Sequence, residues 1–168
     1  MNRRGFLTSF GKKLAKEKNI FSHIFLPYIN NISLVEKICT NCEKPCVDIC
    51  ESSIIVIKDN LPILDMSKNG CTFCKKCAIA CSDKGVLNSN LESKIDAIVN
   101  IKTVNCLSWN NTMCFTCKDG CDFNAIKFFG AFRPTIDVQT CTSCGMCINL
   151  CPTNAIEIKE VFPIKDKR

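Results

Sequence analysis

A chain of 168 residues with 16 cysteines but only one histidine and one tryptophan needs a chemistry that occupies its sulfur atoms. Disulfide bonds, zinc and iron–sulfur clusters are the candidates, and no secretory signal that would favour disulfides is legible. Zinc sites usually draw on histidine as well as cysteine, and His23 lies outside every group of cysteines. Composition therefore favours iron–sulfur clusters or all-cysteine zinc in a reducing compartment.

The formal net charge of +6 does not indicate a nucleic-acid-binding face. Residues 1–20 alone carry a net charge of +5, so most of the excess is local. A [4Fe–4S] cluster with four thiolate ligands carries about two negative charges, and four clusters would bring the loaded protein to about −2. The sequence predicts a basic arm on an acidic body, without a nucleic-acid partner.

The first 35 residues contain no cysteine and are predicted to form a basic N-terminal arm, residues 1–35. Phe6, Leu7, Phe10 and Leu14 recur at helical spacing between lysines, which indicates a short amphipathic helix. Such an arm suits an acidic partner or peripheral contact with an anionic membrane. No stretch reaches the roughly 18 apolar residues of a spanning helix, so no transmembrane segment is expected.

The cysteines form four sets of four, an internal repeat that organises the rest of the chain. The second and fourth sets have the spacing C-x2-C-x2-C-x3-C of bacterial two-cluster ferredoxins, and Pro152 completes that signature in the fourth. In chain order the sets are Cys39, Cys42, Cys46 and Cys50; Cys71, Cys74, Cys77 and Cys81; Cys106, Cys114, Cys117 and Cys121; and Cys141, Cys144, Cys147 and Cys151.

The segments between the sets group them in pairs. Between the first two sets, apolar stretches flank Asp59-Asn60, and between the last two they flank Gly130, so each gap is predicted to form a β-hairpin. The predicted fold class is α+β, with two tandem bacterial-type 2[4Fe–4S] ferredoxin modules that are rich in loops, short helices and β-hairpins. The predicted divisions are the arm, 1–35; the first module, 36–88; a linker, 89–100; the second module, 101–162; and a charged tail, 163–168.

The spacing of each set also predicts which cysteines share a cluster. Three thiolates from one turning loop reach three irons, and in two-cluster ferredoxins the last cysteine of one run binds the cluster of the other. We therefore predict four [4Fe–4S] clusters ligated across paired sets. The predicted ligands are Cys39, Cys42, Cys46 and Cys81 for cluster 1; Cys71, Cys74, Cys77 and Cys50 for cluster 2; Cys106, Cys114, Cys117 and Cys151 for cluster 3; and Cys141, Cys144, Cys147 and Cys121 for cluster 4.

Two sets depart from the bacterial spacing. Lys44-Pro45 lengthens the first set, and a loop over residues 105–113 opens the third. Extra residues can bulge outward without moving the sulfur atoms, which predicts distorted but occupied sites; the alternative is that one such cluster is labile. Trp109, in the long loop, is expected to cover the third cluster.

Residues around the ligands point to electron transfer rather than catalysis. No paired carboxylates, nucleophile triad or glycine-rich phosphate loop accompanies the cysteines, so an enzymatic activity is not expected. Four isoleucines beside the ligands are expected to form the dry shell that tunes cluster potential. They are Ile79, Ile126, Ile148 and Ile156.

Four cysteine sets in so short a chain, the start Arg3-Arg4-Gly5-Phe6-Leu7, the long first spacer of the third set and the segment Phe132-Arg133-Pro134-Thr135 together resemble the NapF-type ferredoxins of periplasmic nitrate reductase operons. The resemblance covers nearly the whole chain. It implies an accessory protein that contacts the molybdenum-containing catalytic subunit, NapA, and assists its maturation before export through electron or cluster supply. The ligand roles carry over to the sixteen cysteines. The alternative is a general ferredoxin that links a dehydrogenase or quinol oxidase to a reductase.

The same first residues also resemble a twin-arginine export signal. Export needs an apolar region after Arg3-Arg4, and four lysines interrupt it here. We therefore expect a non-cleaved arm and a cytoplasmic protein.

Overall fold

The computed structural model describes residues 23–161. The predicted amphipathic helix with Phe6, Leu7, Phe10 and Leu14 and the charged tail, 163–168, lie outside these residues. In chain order the elements are α1 (Ile32–Leu34), a π-helical turn (Val35–Cys39), α2 (Pro45–Asp48), β1 (Ile55–Lys58), β2 (Leu61–Leu64), α3 (Lys76–Ala80), a 3-10 turn (Ser82–Lys84), β3 (Ala97–Ile101), a second 3-10 turn (Ser108–Asn110), α4 (Thr116–Asp119), β4 (Ile126–Phe129), β5 (Phe132–Ile136), α5 (Met146–Leu150) and β6 (Ile156–Glu160).

Two antiparallel hairpins form where the sequence predicts them. β1 pairs with β2 across Asp59 and Asn60, which both have positive φ, 49° and 63°. A two-residue turn of this kind matches the twist of its flanking strands, and Asp and Asn tolerate it. β4 pairs with β5 across Gly130, whose φ of 63° favours glycine. Each hairpin therefore joins the two cysteine sets that the sequence pairs.

A third sheet joins β3 to β6, which local sequence does not predict. The strands pair antiparallel from Ala97 opposite Glu160 to Ile101 opposite Ile156. They connect the segment before the third cysteine set to the segment after the fourth. The stretch predicted as a linker, 89–100, thus includes the first four residues of β3 and the buried Ile95.

The last part of the predicted arm packs into the body of the protein. Leu64 donates a backbone hydrogen bond to Ile24 over 2.7 Å, and Asn88 donates one to Tyr28 over 2.8 Å. The side chains of Ile24, Leu26 and Tyr28 are buried. Residues 24–30 therefore belong to the core and share it with β2 and the segment after α3.

Two hydrophobic clusters form the core, and cysteines are members of both. Cys39, Cys46 and Cys81 lie in the larger cluster and Cys117 in the smaller one. Ile148 and Ile158 pack against both clusters and join them. Among residues 23–161, no helix has the length and apolar character needed to cross a membrane.

The loops that carry the second and fourth cysteine sets contact each other, and we call this contact the junction. Cys71 donates its backbone N–H to the carbonyl oxygen of Cys144 over 2.7 Å. At Gly70, a Cβ atom would lie 2.5 Å from the backbone nitrogen of Met146 and 2.8 Å from the Cys144 oxygen. The junction therefore requires glycine at position 70.

Substitution of Ile95 tests whether the stretch predicted as a linker, 89–100, belongs to the core. Its side chain is 1% exposed, and I95A would leave a cavity that costs about 2–5 kcal/mol of unfolding free energy. Ile98, on the outer face of β3, is 43% exposed, and for I98A we expect a change within about 0.5 kcal/mol. Urea unfolding of anaerobic protein, followed by circular dichroism, measures both. Equal losses would contradict the assignment.

Candidate iron–sulfur sites

All four cysteine sets follow one backbone plan. The third cysteine is the second residue of a short helix, and the fourth lies at the end of that helix or just past it. Before three of the helices, the residues Lys44, Lys75 and Gly145 are left-handed, with φ of 58°, 62° and 79°. Phe115 precedes α4 and has a φ of −120°, so the third set departs from the plan where its spacing also departs.

Because of this plan, the third and fourth cysteines of each run face different surroundings. About one helical turn separates them along the chain, and in every run the two cysteines line different cavities. The cysteines line four cavities, which we call sites A to D. Site A is lined by Cys39, Cys46 and Cys81; site B by Cys50, Cys71, Cys74 and Cys77; site C by Cys106, Cys114, Cys117 and Cys151; and site D by Cys121, Cys141, Cys144 and Cys147.

Each site combines cysteines of one run with the last cysteine of its sister run. The groups coincide with the predicted ligand sets, except that Cys42 does not line site A. Cys42 nonetheless lies close to site A. The pKa of Cys39 is raised first by burial, then by the charge of Cys81, and next by the charge of Cys42. The structure therefore brings together the side chains that the spacing pairs, while their binding of iron stays a prediction.

The donor set of each site fits a cluster. Ligands of one zinc ion all lie about 2.3 Å from a common point, whereas here the thiols surround a cavity. Among residues 23–161, no three His, Cys, Asp or Glu side chains converge as ligands of a single ion would. All sixteen cysteines are described, and all are free thiols. Thiol ligands arranged around a space are the arrangement that an iron–sulfide core requires.

Burial dominates the electrostatics of the helical cysteines. It raises the pKa of Cys46 and Cys117 to about 11 and the pKa of Cys77 and Cys147 to about 12, and neighbouring thiolates add to the effect. At neutral pH these thiols keep their protons when no metal is bound. Since the ligand is the thiolate, iron must displace the protons, and cluster insertion releases them to solvent.

Backbone N–H groups stabilise several of the sulfurs. Lys44 donates to the sulfur of Cys42 over 3.2 Å, and Ala155 donates to that of Cys151 over 3.2 Å. Burial acts to raise the pKa of Cys151, but N–H donors from Ala155 and Thr153 outweigh it and lower the pKa. Hydrogen bonds to cluster sulfurs set the reduction potential, so these donors would favour the reduced cluster.

The long loop of the third set packs differently from our expectation. Leu107 and Pro134, rather than Trp109, line site C. The indole nitrogen of Trp109 donates to the Pro134 carbonyl oxygen over 3.0 Å and so fastens the loop to β5. Buried Ser108 donates to the Cys114 carbonyl oxygen over 2.7 Å. Trp109 thus positions the loop and does not cover the site.

The predicted apolar shell is correct at two of its four positions. Ile126 lines site D and Ile156 lines site C, whereas Ile148 lines none of the four sites and packs between the two core clusters. Ile79 is 62% exposed on α3, so its expected place in the shell is wrong. The residue that completes the shell of site B is Tyr28, from the segment assigned to the arm. Nothing in the local sequence pattern links Tyr28 to the cysteines.

Comparisons with known proteins agree with this chemistry. Residues 134–157 match the family described as a 4Fe–4S binding domain. Ferredoxin-type protein NapF of Escherichia coli strain K12 is 29% identical over 160 residues, which cover 92% of both chains. The NapF protein of Haemophilus influenzae is 36% identical over 35% of this chain and 36% of its own, and an uncharacterised ferredoxin of Methanocaldococcus jannaschii is 31% identical over 60% of both.

The resemblance predicted from the cysteine spacing and the first residues is therefore confirmed by similarity that spans nearly the whole sequence. Cysteines sufficient for iron–sulfur clusters line cavities of matching donor chemistry. The chain is therefore similar to the ferredoxin-type protein NapF along almost its full length, and it contains a segment that matches a 4Fe–4S binding domain.

Proposed function

We propose that the chain binds four [4Fe–4S] clusters in two tandem ferredoxin modules. Sites A and B would form the first module and sites C and D the second. The observation that carries the proposal is that each cavity is lined by cysteines from two runs, joined by a hairpin. When bound, each cluster accepts and donates one electron.

We infer that electrons move between the modules through the junction. Cys71 lines site B and Cys144 lines site D, and a backbone hydrogen bond of 2.7 Å joins the two residues. Within the modules, the charge of Cys46 contributes to the raised pKa of Cys77, and that of Cys117 contributes to the raised pKa of Cys147; burial is the larger cause in both. Site A therefore neighbours site B, site B neighbours site D across the junction, and site D neighbours site C.

The physiological partner proposed is NapA, before its export from the cytoplasm. The support is similarity to NapF proteins over 92% of the chain, together with the start Arg3-Arg4 and the long third-set loop that this chain shares with that family's pattern. Four neighbouring clusters suit a protein that delivers electrons, or a cluster, to an enzyme precursor. A general electron carrier needs the same clusters but no contact with NapA.

Paired cysteine substitutions test the ligand assignment. Cys39 and Cys81 are proposed to share one cluster, so C39A/C81A should lower the iron content from about 16 to about 12 atoms per chain. Cys74 and Cys81 belong to different clusters, so C74A/C81A should leave about 8. Iron and acid-labile sulfide are measured on anaerobically purified protein. The reverse order would show that each run closes its own cluster.

Substitution at the junction tests the route between the modules. G70A would place a Cβ against backbone atoms of Met146 and Cys144, which cannot rotate away. We expect full iron content but weaker magnetic interaction between the modules in the electron paramagnetic resonance spectrum of the reduced protein. The control is G130N: Gly130 has open space around it, and Asn tolerates its positive φ. A G70A spectrum identical to wild type would reject the junction route.

Complementation tests the partner. A strain that lacks its own NapF would receive this chain or its C39A/C81A variant, and NapA would be purified and assayed for activity and molybdenum cofactor content. We expect the chain to copurify with NapA and to restore its activity, and the variant to restore less. Normal NapA content and activity without the chain, with slower electron flow to another reductase, would favour the general carrier instead.

A further inference from the structure

One buried hydroxyl in site D has no aligned partner. Thr142 lies between the first two cysteines of the fourth set and lines the site. Its Oγ1 is shielded from solvent and makes no hydrogen bond of good geometry with any residue in the described range, 23–161. A buried polar group without a partner costs about 1–3 kcal/mol, so a position of this kind needs an explanation.

The backbone around Thr142 is held from the opposite side of the site. Buried Ile95 donates its N–H to the Thr142 carbonyl oxygen over 3.1 Å. The next residue, buried Ser143, donates its hydroxyl to the Ala97 carbonyl oxygen over 2.6 Å. The segment that leads into β3 therefore fixes the position from which the Thr142 side chain extends.

The candidate acceptor is the sulfur of Cys144, which lines the same cavity as Thr142 and lies two residues further along the chain. The Thr142 hydroxyl has no hydrogen-bond partner among residues 23–161, so a charged sulfur in that cavity would satisfy it. A thiolate bound to iron is a stronger acceptor than a thiol, because a hydrogen bond to a charged group is shorter and stronger.

The second set offers a natural comparison. Thr72 follows Cys71 as Thr142 follows Cys141, but Thr72 is exposed. The two runs share the spacing C-x2-C-x2-C-x3-C, and both carry threonine at this position. Thr72 also lines its cavity, site B, so the two runs differ in how far this threonine is exposed to solvent.

We propose that the Thr142 hydroxyl donates a hydrogen bond to the Cys144 thiolate and makes the cluster of site D easier to reduce than the cluster of site B. The proposal rests on the proposed four-cluster function. Reduction adds one electron from a low-potential ferredoxin-type donor or, in the experiment, from dithionite; no bond forms or breaks, and the cluster with its ligands changes from two negative charges to three. A fixed hydrogen-bond donor stabilises the more negative, reduced state of the cluster. Thr142 is thus a positioning residue that raises the reduction potential of the cluster through its hydrogen bond to the Cys144 sulfur.

A redox titration monitored by electron paramagnetic resonance tests this role on the full chain. T142V keeps the shape of the side chain and removes the hydroxyl. We expect one of the four reduction steps to shift about tenfold in its equilibrium constant, to lower potential, which is about 59 mV for one electron. T142S keeps the hydroxyl and should titrate as wild type, and so should the matched control T72V.

The outcomes are separable. A wild-type iron content well below about 16 atoms per chain would reject the four-cluster function itself. Full iron content with no shift in T142V, or an equal shift in T72V, would reject the role of Thr142 alone. If T142V binds less iron, T142A is titrated as the second variant; loss of iron in both, but not in T142S, would overturn the tuning role and make Thr142 a structural residue.

Discussion

The rest of the structure depends on one constraint: each cavity receives its last cysteine from a run on the far side of a hairpin. No site is complete until the two runs of a pair pack together, and most of the cysteines that meet there belong to the hydrophobic clusters or pack against them. Because the proposed ligands take part in this packing, cluster binding and packing would stabilise the same state. The short helices matter for their geometry, since each turns the chain between its third and fourth cysteine.

The parts of this arrangement that local sequence could predict have local causes. The Asp59-Asn60 turn and Gly130 require left-handed backbone, so the hairpins follow from a few residues. The spacing of the cysteines predicts which thiols share a cavity, because it follows the pattern of two-cluster ferredoxins, in which the last cysteine of one run binds the cluster of the other. The divergent first and third sets fit as well, since Lys44 is left-handed and the long loop is fastened at Trp109.

What could not be predicted depends on distant contacts. β3 and β6 are short strands that lie far apart in sequence, and their register is set by the packing of one face. Tyr28 reaches site B because its backbone pairs with Asn88 after α3 and its hydroxyl donates to the Phe73 carbonyl oxygen over 3.2 Å, contacts that no periodicity in residues 24–30 indicates. Ile79 lies between the third and fourth cysteines of its set, as Ile148 does, but one residue further along the helix, and it is 62% exposed. The local sequence pattern shows which residues are apolar, but it does not show which face of a helix or strand other residues pack against.

The pairing of β3 with β6 has a consequence for synthesis on the ribosome. The residues that line sites A and B all lie between positions 25 and 87, so the first half can close while the remainder is still being translated. The second half needs residues 156–160 before its sheet can form. Since chains emerge from the N-terminus and fold as they do so, the sites of the first half would close before those of the second.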